Sequence, residues 1–222
     1  MLQNNLYLGN TYLFEQETSV VEVRDGADGR YIVVADNIFH PKGGGQPSDV
    51  GTVDGVEAVP FKVDGESLTV GLSGDFVHAE GATVTTRIDA EARLRHAALH
   101  TCGHLIHAIV ASMGFEYRGH SHNPGQARIE FLAPEERPDL EALSSEVVER
   151  VNAAIAADHK VRVQDGADGR VVEIEGHGEE LCGGTHVSSL AELSDFSVRG
   201  IKIKRGGMRV GYDVAYSDPA SR

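Results

Sequence analysis

The sequence predicts an α+β protein, with an N-terminal small antiparallel β-barrel followed by an α+β domain whose two long helices pack on an antiparallel sheet. Three observations favour this class. Residues 1 to about 88 alternate short apolar stretches with turn residues. Two later segments have the apolar spacing and the end residues of helices, and short strand-like stretches follow them. We therefore expect two domains, at residues 1–88 and 89–222.

The N-terminal region contains short stretches that are rich in β-branched residues. They lie at 19–23, 31–35, 51–53, 59–63, 68–70 and 82–85. Turn residues separate them, and one such segment, Asp-Gly-Ala-Asp-Gly-Arg at 25–30, recurs at 165–170. Each copy lies between two apolar stretches, which predicts a hairpin turn. Strands of this length and spacing favour a small barrel or meander.

The first long helix is predicted to begin after Asp89. Asp89 can cap the first backbone N–H groups, and Glu91 in the first turn complements the helix dipole. The helical pattern continues to about Met113, and Gly114 supplies the left-handed residue that commonly ends a helix. A hairpin is expected next, at about 115–132.

A second helix is expected at about 140–157, where Pro138 and Asp139 form a typical helix start. Strands are predicted at 161–163 and 171–174, and further strands follow near the C-terminus. This order, with strands on both sides of helices, indicates that the second domain is α+β.

Two histidines in the first helix suggest a metal centre. His100 and His104 are four residues apart, so an α-helix separates them by about 400° of rotation and about 6 Å of rise. Both imidazoles then lie on one face and can bind one ion. Alone this is weak evidence, because histidines at helical spacing are more often packed or solvated. Cys102 points off that face, and we expect it to be a small buried residue.

A second pair of ligand types lies about eighty residues later. Cys182 and His186 flank Gly183 and Gly184, whose freedom of backbone conformation allows a thiolate and an imidazole to point at one place. Three nitrogens and one sulfur suit zinc far better than magnesium or calcium. The two pairs together predict a metal centre with one zinc ion per chain.

Bulk properties narrow the compartment and the partners. The 222 residues carry a formal net charge of −14 and two cysteines, and neither a signal peptide nor a membrane-spanning run is evident. We expect a cytoplasmic protein in a reducing compartment, with no disulfide scaffold and no membrane partner. The strong acidity weighs against nucleic-acid binding, which depends on lysine and arginine contacts to phosphates.

Basic residues are nevertheless concentrated near the C-terminus. They alternate with apolar residues over a short segment: Arg199, Lys202, Lys204, Arg205 and Arg209. Such a segment is either the solvated face of an amphipathic strand or an edge that contacts RNA, and this feature alone favours neither.

A glycine-rich loop is the other informative segment. Gly43, Gly44 and Gly45 allow backbone N–H groups to approach a ligand, and Gln46 beside them can both donate and accept hydrogen bonds. The alternative is a flexible linker, which the rigid Pro47 makes less natural.

These motifs together resemble the AlaX family, the free-standing relatives of the editing domain of alanyl-tRNA synthetase. The resemblance rests on Gly-Gly-Gly-Gln-Pro-Ser-Asp-Val-Gly at 43–51, His-Thr-Cys-Gly-His-Leu-Ile-His at 100–107 and Cys-Gly-Gly-Thr-His-Val at 182–187, with a weaker match at 201–210. It spans nearly the full length, in the family's order. It implies hydrolysis of tRNA(Ala) that carries serine or glycine by mistake.

The resemblance also implies roles for individual residues. His100, His104, Cys182 and His186 take the zinc-ligand positions. Gln46, with Gly44 and Gly45, faces the aminoacyl end of the tRNA. Asn37 stands where many members have a threonine that contacts the misattached side chain, so serine specificity is less certain than ester hydrolysis. Phosphates near the acceptor end are expected to contact Lys202, Lys204, Arg205 and Arg209. Either a monomer or a homodimer is compatible with the sequence.

Other functions remain open at this point. An editing site of the threonyl-tRNA synthetase type also pairs a histidine motif with a Cys-to-His segment, although the glycine loop favours the alanyl type. A zinc-stabilised, non-catalytic tRNA-binding module is the alternative from another class, because four protein ligands form the closed tetrahedron that is typical of structural zinc. A metallopeptidase is disfavoured, since Thr101 stands where the peptidase helix has its glutamate.

Overall fold

The structure is a computed structural model that describes residues 3–26, 29–64, 68–167, 169–204 and 206–218. These residues form two compact units. Unit 1 comprises the described residues up to Gly43 together with Pro47–Leu94, and unit 2 comprises Gly44–Gln46 together with the described residues from Arg95 onward. The predicted α+β class with an N-terminal barrel is confirmed. The domain boundary between residues 88 and 89 stays a proposal.

Unit 1 contains a closed antiparallel barrel. The strands of the unit are β1 (Asn4–Asn5), β2 (Glu15–Gly26), β3 (Gly29–Val34), β4 (Asp36–Asn37), β5 (Gly51–Val53), β6 (Val56–Lys62), β7 (Val70–Ser73) and β8 (Thr83–Ile88). Strands β1 and β4 form a separate parallel pair. The barrel order is β2, β3, β7, β6, β5 and β8. Long β2 closes it, because its first half pairs with β8 and its second half pairs with β3. The interior is apolar and includes Val20, Ile32, Val34, Val53, Leu72 and Val84.

The strand predicted at 68–70 is displaced in the structure, where β7 runs from Val70 to Ser73. Gly71 interrupts the apolar pattern and reads as a turn signal. In the barrel it allows close packing instead, since a Cβ there would lie 2.7 Å from the Phe61 ring. Both repeated Asp-Gly-Ala-Asp-Gly-Arg segments close hairpins as predicted, with the pairs Gly26 and Gly29, and Gly166 and Gly169, last in register; residues 27, 28 and 168 lie outside the described residues.

A buried ion pair lies in unit 1. The guanidinium of Arg93 and the carboxylate of Asp49 have exposed side-chain fractions of 0% and 1%. Nε of Arg93 donates to Asp49 at 2.9 Å, a second and shorter bond runs from Nη2, and the remaining donors reach the carbonyls of Ile38 and Thr11 at 2.6 and 3.1 Å. Asp49 also accepts from the backbone N–H of His40 at 2.6 Å. Every charge in this centre therefore has a partner.

The first helix, α1, spans Ala90–Ser112 and confirms the predicted ends. The Asp89 carboxylate accepts from the N–H of Ala92 at 3.0 Å, and Gly114 has a φ of +90°. The division between the units falls within α1, after Leu94. Cys102 is fully buried in the core of unit 2, as predicted, and burial raises the pKa of its thiol.

Unit 2 consists of the rest of α1, a second helix and two antiparallel sheets. These elements are β9 (Tyr117–Ser121), β10 (Arg128–Leu132), α2 (Leu140–Ala156), β11 (Val161–Gly166), β12 (Gly169–Ile174), β13 (Gly178–Leu181), β14 (Leu193–Lys204) and β15 (Gly207–Tyr216). The larger sheet has the order β14, β15, β10, β9, and the smaller has β11, β12, β13. The Asp139 carboxylate caps α2 by accepting from two backbone N–H groups. Among the described residues, neither helix has the length and apolarity that crossing a bilayer requires.

Candidate metal centre

Helix α1 places His100 and His104 on one face, as the four-residue spacing predicts. Their ring centroids are 5.1 Å apart. The segment after β13 brings Cys182 and His186 to the same place, where Sγ of Cys182 lies 3.4 Å from Nε2 of His100 and 3.3 Å from Nε2 of His186. One ligand atom from each of the four residues falls within 4.8 Å of the others. The structure thus brings the four predicted ligand residues together.

The nitrogen of His100 that faces away from the cluster has a partner from the glycine loop. Its Nδ1 lies 2.7 Å from Oε1 of Gln46. Since a carboxamide oxygen can only accept, Nδ1 must carry a hydrogen, and Nε2 is the nitrogen that faces the cluster. Gln46 is itself fixed, because Oε1 also accepts from the N–H of Thr185 at 3.0 Å and Nε2 donates to the Thr185 hydroxyl at 2.9 Å. Gln46, which lies in the glycine-rich loop, therefore orients the ring of His100.

The other two histidines repeat this arrangement. Nδ1 of His186 lies 3.1 Å from the hydroxyl of Thr101, and Nδ1 of His104 lies 3.2 Å from a carboxylate oxygen of Glu180. A metal-binding imidazole typically has such a partner on its second nitrogen, because the partner fixes the tautomer and the ring orientation. All three imidazoles and the thiol are thus arranged as a metal requires. Three nitrogens and one sulfur within this distance fit a zinc ion.

Gly184 makes this approach possible. A Cβ at that position would overlap the His100 ring and lie 2.8 Å from Oε1 of Gln46. Any side chain would force His100 away from Gln46 or away from the other ligands. Gly184 is therefore required for close packing against His100, in addition to the backbone freedom that the sequence predicts for both glycines of the segment.

Glu180 was not identified from the sequence. Its carboxylate bridges two histidines, with Oε2 near His104 and Oε1 2.6 Å from Nδ1 of His107. Burial disfavours its charge, but the hydrogen bonds to His104 and His107 outweigh burial and lower the pKa of Glu180 to about 2. For His104, burial likewise opposes the charged form, while the hydrogen bonds to Cys182 and Glu180 raise its pKa to about 9. The only sequence signal was position, two residues before Cys182.

A cleft of about 260 Å³ opens beside the four ligands. Its lining includes Gly44, Gly103, His107, Tyr117, His120, His122, Glu180 and Leu181. His122 is buried, and its Nδ1 lies 2.8 Å from the hydroxyl of Tyr212, which donates in turn to the carbonyl of Leu99 at 2.8 Å. Burial, with added repulsion from His120 and His104, holds the pKa of His122 well below its ordinary value. The cleft wall therefore combines the carboxylate of Glu180 with His122, whose pKa is lowered.

The glycine loop forms part of this cleft. Gly44 lines it, and the carbonyl of Gly45 accepts from the backbone N–H of His122 at 2.8 Å. Gly45 has a φ of +71°, and a Cβ there would overlap the His120 ring. The predicted substrate contacts of Gly44, Gly45 and Gln46 stay predictions.

Asn37 lies in unit 1 and is fully buried. Its Nδ2 donates to Asn5 and to the carbonyl of Phe39, each at 2.9 Å, and its Oδ1 accepts from the N–H of Phe39 at 3.0 Å. These bonds hold the chain turn that follows β4. Its contact with a misattached side chain stays a prediction. His40 packs edge-on against Tyr7 in the same unit.

The basic residues near the C-terminus lie on β14 and β15. Lys202 and Arg209 are directly opposite each other, Lys204 is opposite Gly207, and all three basic side chains are exposed. With Arg118 from β9 they line a groove of about 590 Å³. Glu130 lies in the same groove and pairs with Arg209 at 2.9 Å. Arg205 lies outside the described residues.

Comparison with known proteins agrees with this site. The profile of the family described as Threonyl and Alanyl tRNA synthetase second additional domain matches residues 170–210, a range that contains Cys182 and His186. An alanyl-tRNA editing protein AlaX-M from Pyrococcus horikoshii is 27% identical over 215 residues, which cover 95% of this chain and 94% of that protein. AlaX-M from Methanosarcina mazei is 31% identical over 239 residues, covering 90% and 89%.

An alanine–tRNA ligase from Korarchaeum cryptofilum is 30% identical over 236 residues, which cover 93% of this chain but 26% of the ligase. The barrel, the histidine and cysteine cluster and the matching profile thus define a protein of the class that carries the second additional domain of threonyl- and alanyl-tRNA synthetases. Within that class, the chain belongs to the AlaX family of alanyl-tRNA editing proteins, whose members it matches along almost their whole length.

Proposed function

We propose that this protein is a zinc-dependent hydrolase that deacylates mischarged tRNA(Ala), with serine or glycine as the amino acid removed. The observation that carries the proposal is the cluster of His100, His104, Cys182 and His186 beside a cleft, in a chain that belongs to an alanyl-tRNA editing family. The free cysteines, Cys102 and Cys182, fit a reducing cytoplasmic compartment.

Such an activity meets a physical need. Serine exceeds alanine by one hydroxyl and glycine lacks one methyl, and a binding pocket distinguishes such small differences by only about 10- to 200-fold. A second, hydrolytic site that alanine occupies poorly supplies the missing discrimination.

The chain's own residues would hold the reacting groups in place. A bound zinc ion would polarise the ester carbonyl or position the substrate. Gln46 and Glu180 fix the orientation of His100 and His104, and burial lowers the pKa of both His120 and His122 in the cleft wall. The Glu180 carboxylate also holds the ring of His107 at 2.6 Å, which places this imidazole at the cleft wall as a candidate acid–base group. An aminoacyl ester is already activated, so positioning and electrostatic stabilisation supply most of the acceleration.

A second candidate function follows from the number of ligands. Four protein ligands form the closed set that is typical of structural zinc, whereas catalytic zinc usually keeps one position for water or substrate. This observation favours a zinc-stabilised, non-catalytic tRNA-binding module as the alternative.

Deacylation assays separate the two candidates. We expect zinc-loaded protein to hydrolyse Ser-tRNA(Ala) or Gly-tRNA(Ala) and to leave Ala-tRNA(Ala) intact, and His104→Ala to lose this turnover. If the zinc-loaded protein binds tRNA(Ala) but hydrolyses none of the three esters, the binding module is the correct function. Hydrolysis of Ser-tRNA(Thr) in place of these substrates would instead indicate the threonyl type.

The tRNA contacts are a separate part of the proposal. Lys202, Lys204 and Arg209 are exposed around the groove that Arg118 shares, which suits phosphates of the acceptor end. Lys204→Glu should weaken tRNA binding and reduce its dependence on salt, because fewer counterions are released. Arg137→Glu, an equal change of charge at an exposed position outside the groove, serves as control. Equal effects of both substitutions would remove the groove from the proposal.

A further inference from the structure

The rim of the cleft differs chemically from its floor. Three side chains with exposed surface stand there: Tyr117 (38% exposed), Leu181 (63% exposed) and His120. Exposed aromatic and aliphatic side chains grouped at a cleft that also has polar groups are a common feature of ligand-binding sites. This surface has no role in holding the metal ligands, since none of the three residues contacts them through a polar atom in the described contacts.

Tyr117 is held in place while part of its ring stays open. Its ring centroid lies 4.5 Å from that of His107, and its hydroxyl hydrogen-bonds Nδ1 of His120. The Tyr117 and His120 rings are 27° from parallel at 6.0 Å. A fixed aromatic side chain loses little conformational entropy when a flat ligand stacks against it.

The near-parallel arrangement continues inward to the metal centre. His120 and His122 are 21° apart at 4.8 Å, and His122 and His100 are 26° apart at 4.3 Å. Each ring is thus tilted by 21–27° from the next, in a series that leads from Tyr117 at the rim to His100 in the cluster. A planar group that stacks on the rings at the rim would extend this series outward.

We propose that Tyr117, His120 and Leu181 form the binding site for the terminal adenine base of the tRNA, an inference that rests on the proposed deacylase function. The base and the ester are attached to the same ribose, so an ester at the metal centre brings the adenine to the rim. Unpaired bases in RNA are commonly bound by stacking on tyrosine and histidine rings.

The distribution of charge agrees with a base rather than a phosphate at this position. The cleft lining contains Glu180 but neither lysine nor arginine, whereas the groove on β14 and β15 contains four basic side chains. Strand β9 contributes to both places, through Tyr117 at the cleft and Arg118 at the groove. Consecutive residues of a strand point to opposite faces, which places phosphate contacts and base contacts on the two sides of β9.

The test compares two small esters, 3′-O-seryl adenosine and the same seryl ester on a ribose without a base. We expect Tyr117→Ala to raise KM for the adenosine ester by about 5- to 100-fold, as loss of one base stack does, with little change in kcat. The base-free ester should be hydrolysed equally by both proteins. Tyr117→Phe should retain the low KM because it keeps the ring. Leu132→Ala, an exposed apolar side chain on neighbouring β10 outside the cleft lining, is the matched control.

An unchanged KM in Tyr117→Ala, or an equal rise for both esters, would overturn the base site. Titration with 3′-deoxy-3′-serylamino adenosine, which cannot be hydrolysed, measures the same site without turnover. If the wild-type protein hydrolyses neither ester but binds this analogue through Tyr117, the deacylase proposal fails and the base site stands. If the analogue binds wild-type and Tyr117→Ala protein equally, the base site fails whatever the activity.

Discussion

Each unit contains one buried polar centre, and the two centres are built in opposite ways. In unit 1, Arg93 and Asp49 satisfy each other, and backbone groups take the remaining donors and acceptors. In unit 2, the outer nitrogens of the three histidines have partners, and one possible ligand atom from each of them and from Cys182 lies within 4.8 Å of the others. The first centre is complete as a set of protein groups. We propose that a cation completes the second.

The difference shows that burial of polar groups alone does not identify a functional site. The arrangement of the groups does: in the Arg93 centre the charged groups pair with each other and with the backbone, whereas in the cluster four atoms that could bind a metal lie within 4.8 Å of one another. Three predictions test this contrast, in order of the expected effect.

Removing the arginine should have the largest effect on stability. Arg93→Met leaves the Asp49 carboxylate buried without its cation, which should lower the free energy of unfolding of unit 1 by about 3–5 kcal/mol. The rates of amide hydrogen exchange in β3 and β7 of the wild-type and variant proteins measure this loss of stability. Arg87→Met is the control, because Arg87 makes a similar two-bond pair with Glu15 at an exposed position. Equal losses in both variants would mean that the buried centre is worth no more than a surface pair.

Removing the metal should destabilise unit 2 and leave unit 1 unchanged. At free zinc about a thousandfold above its Kd, chelation should cost unit 2 about 4 kcal/mol, because zinc binds the folded cluster only. Faster exchange should follow in the segment with Cys182 and His186 and not in β3 or β7. The contrast between the two centres fails if chelator changes neither unit, or both to the same extent.

The smallest effect is expected from the group that orients a ligand. Glu180→Gln keeps the shape but weakens the hold on His104, which should reduce zinc affinity about 10- to 100-fold. Competition with a chromogenic chelator measures this affinity. Glu179→Gln, an exposed neighbour on the same strand, should bind zinc like the wild-type protein. Wild-type affinity in Glu180→Gln would show that His104 needs no orienting carboxylate.

The two centres also differ in how far the sequence predicts them. The cluster is visible because its chemistry depends on ligand types at fixed short spacings, four residues within a helix for His100 and His104 and four within a bend for Cys182 and His186. Arg93 and Asp49 are 44 positions apart, and the motif at 43–51 that contains Asp49 does not indicate Arg93 as its partner, so only the folded barrel brings them together. The sequence does not indicate the roles of Glu180 and Tyr117 for the same reason, since their partners come from other strands and helices.

For the fold, local sequence signals are sufficient to predict the ends of the helices, because capping residues and glycine act on the backbone next to them. The caps at Asp89 and Asp139 and the stop at Gly114 fixed the ends of the two helices to within about a residue. The strand at 68–70 was misplaced because the sequence does not show that Gly71 lies against the Phe61 ring. Strand β13 has a glycine and two glutamates before Leu181, so no apolar alternation in the sequence indicates a strand there. This strand nonetheless contains Glu180 and is followed directly by Cys182.

The three residues Gly44–Gln46 belong to unit 2, although the chain on both sides of them belongs to unit 1. No single cut of the polypeptide can therefore release unit 2 whole: a fragment that starts at Arg95 has the four residues of the cluster but not the amide that contacts Nδ1 of His100. The same holds for gene rearrangement. A recombination event that transplants unit 2 must carry Gly44–Gln46 with it, or must find a replacement for Gln46 in its new host.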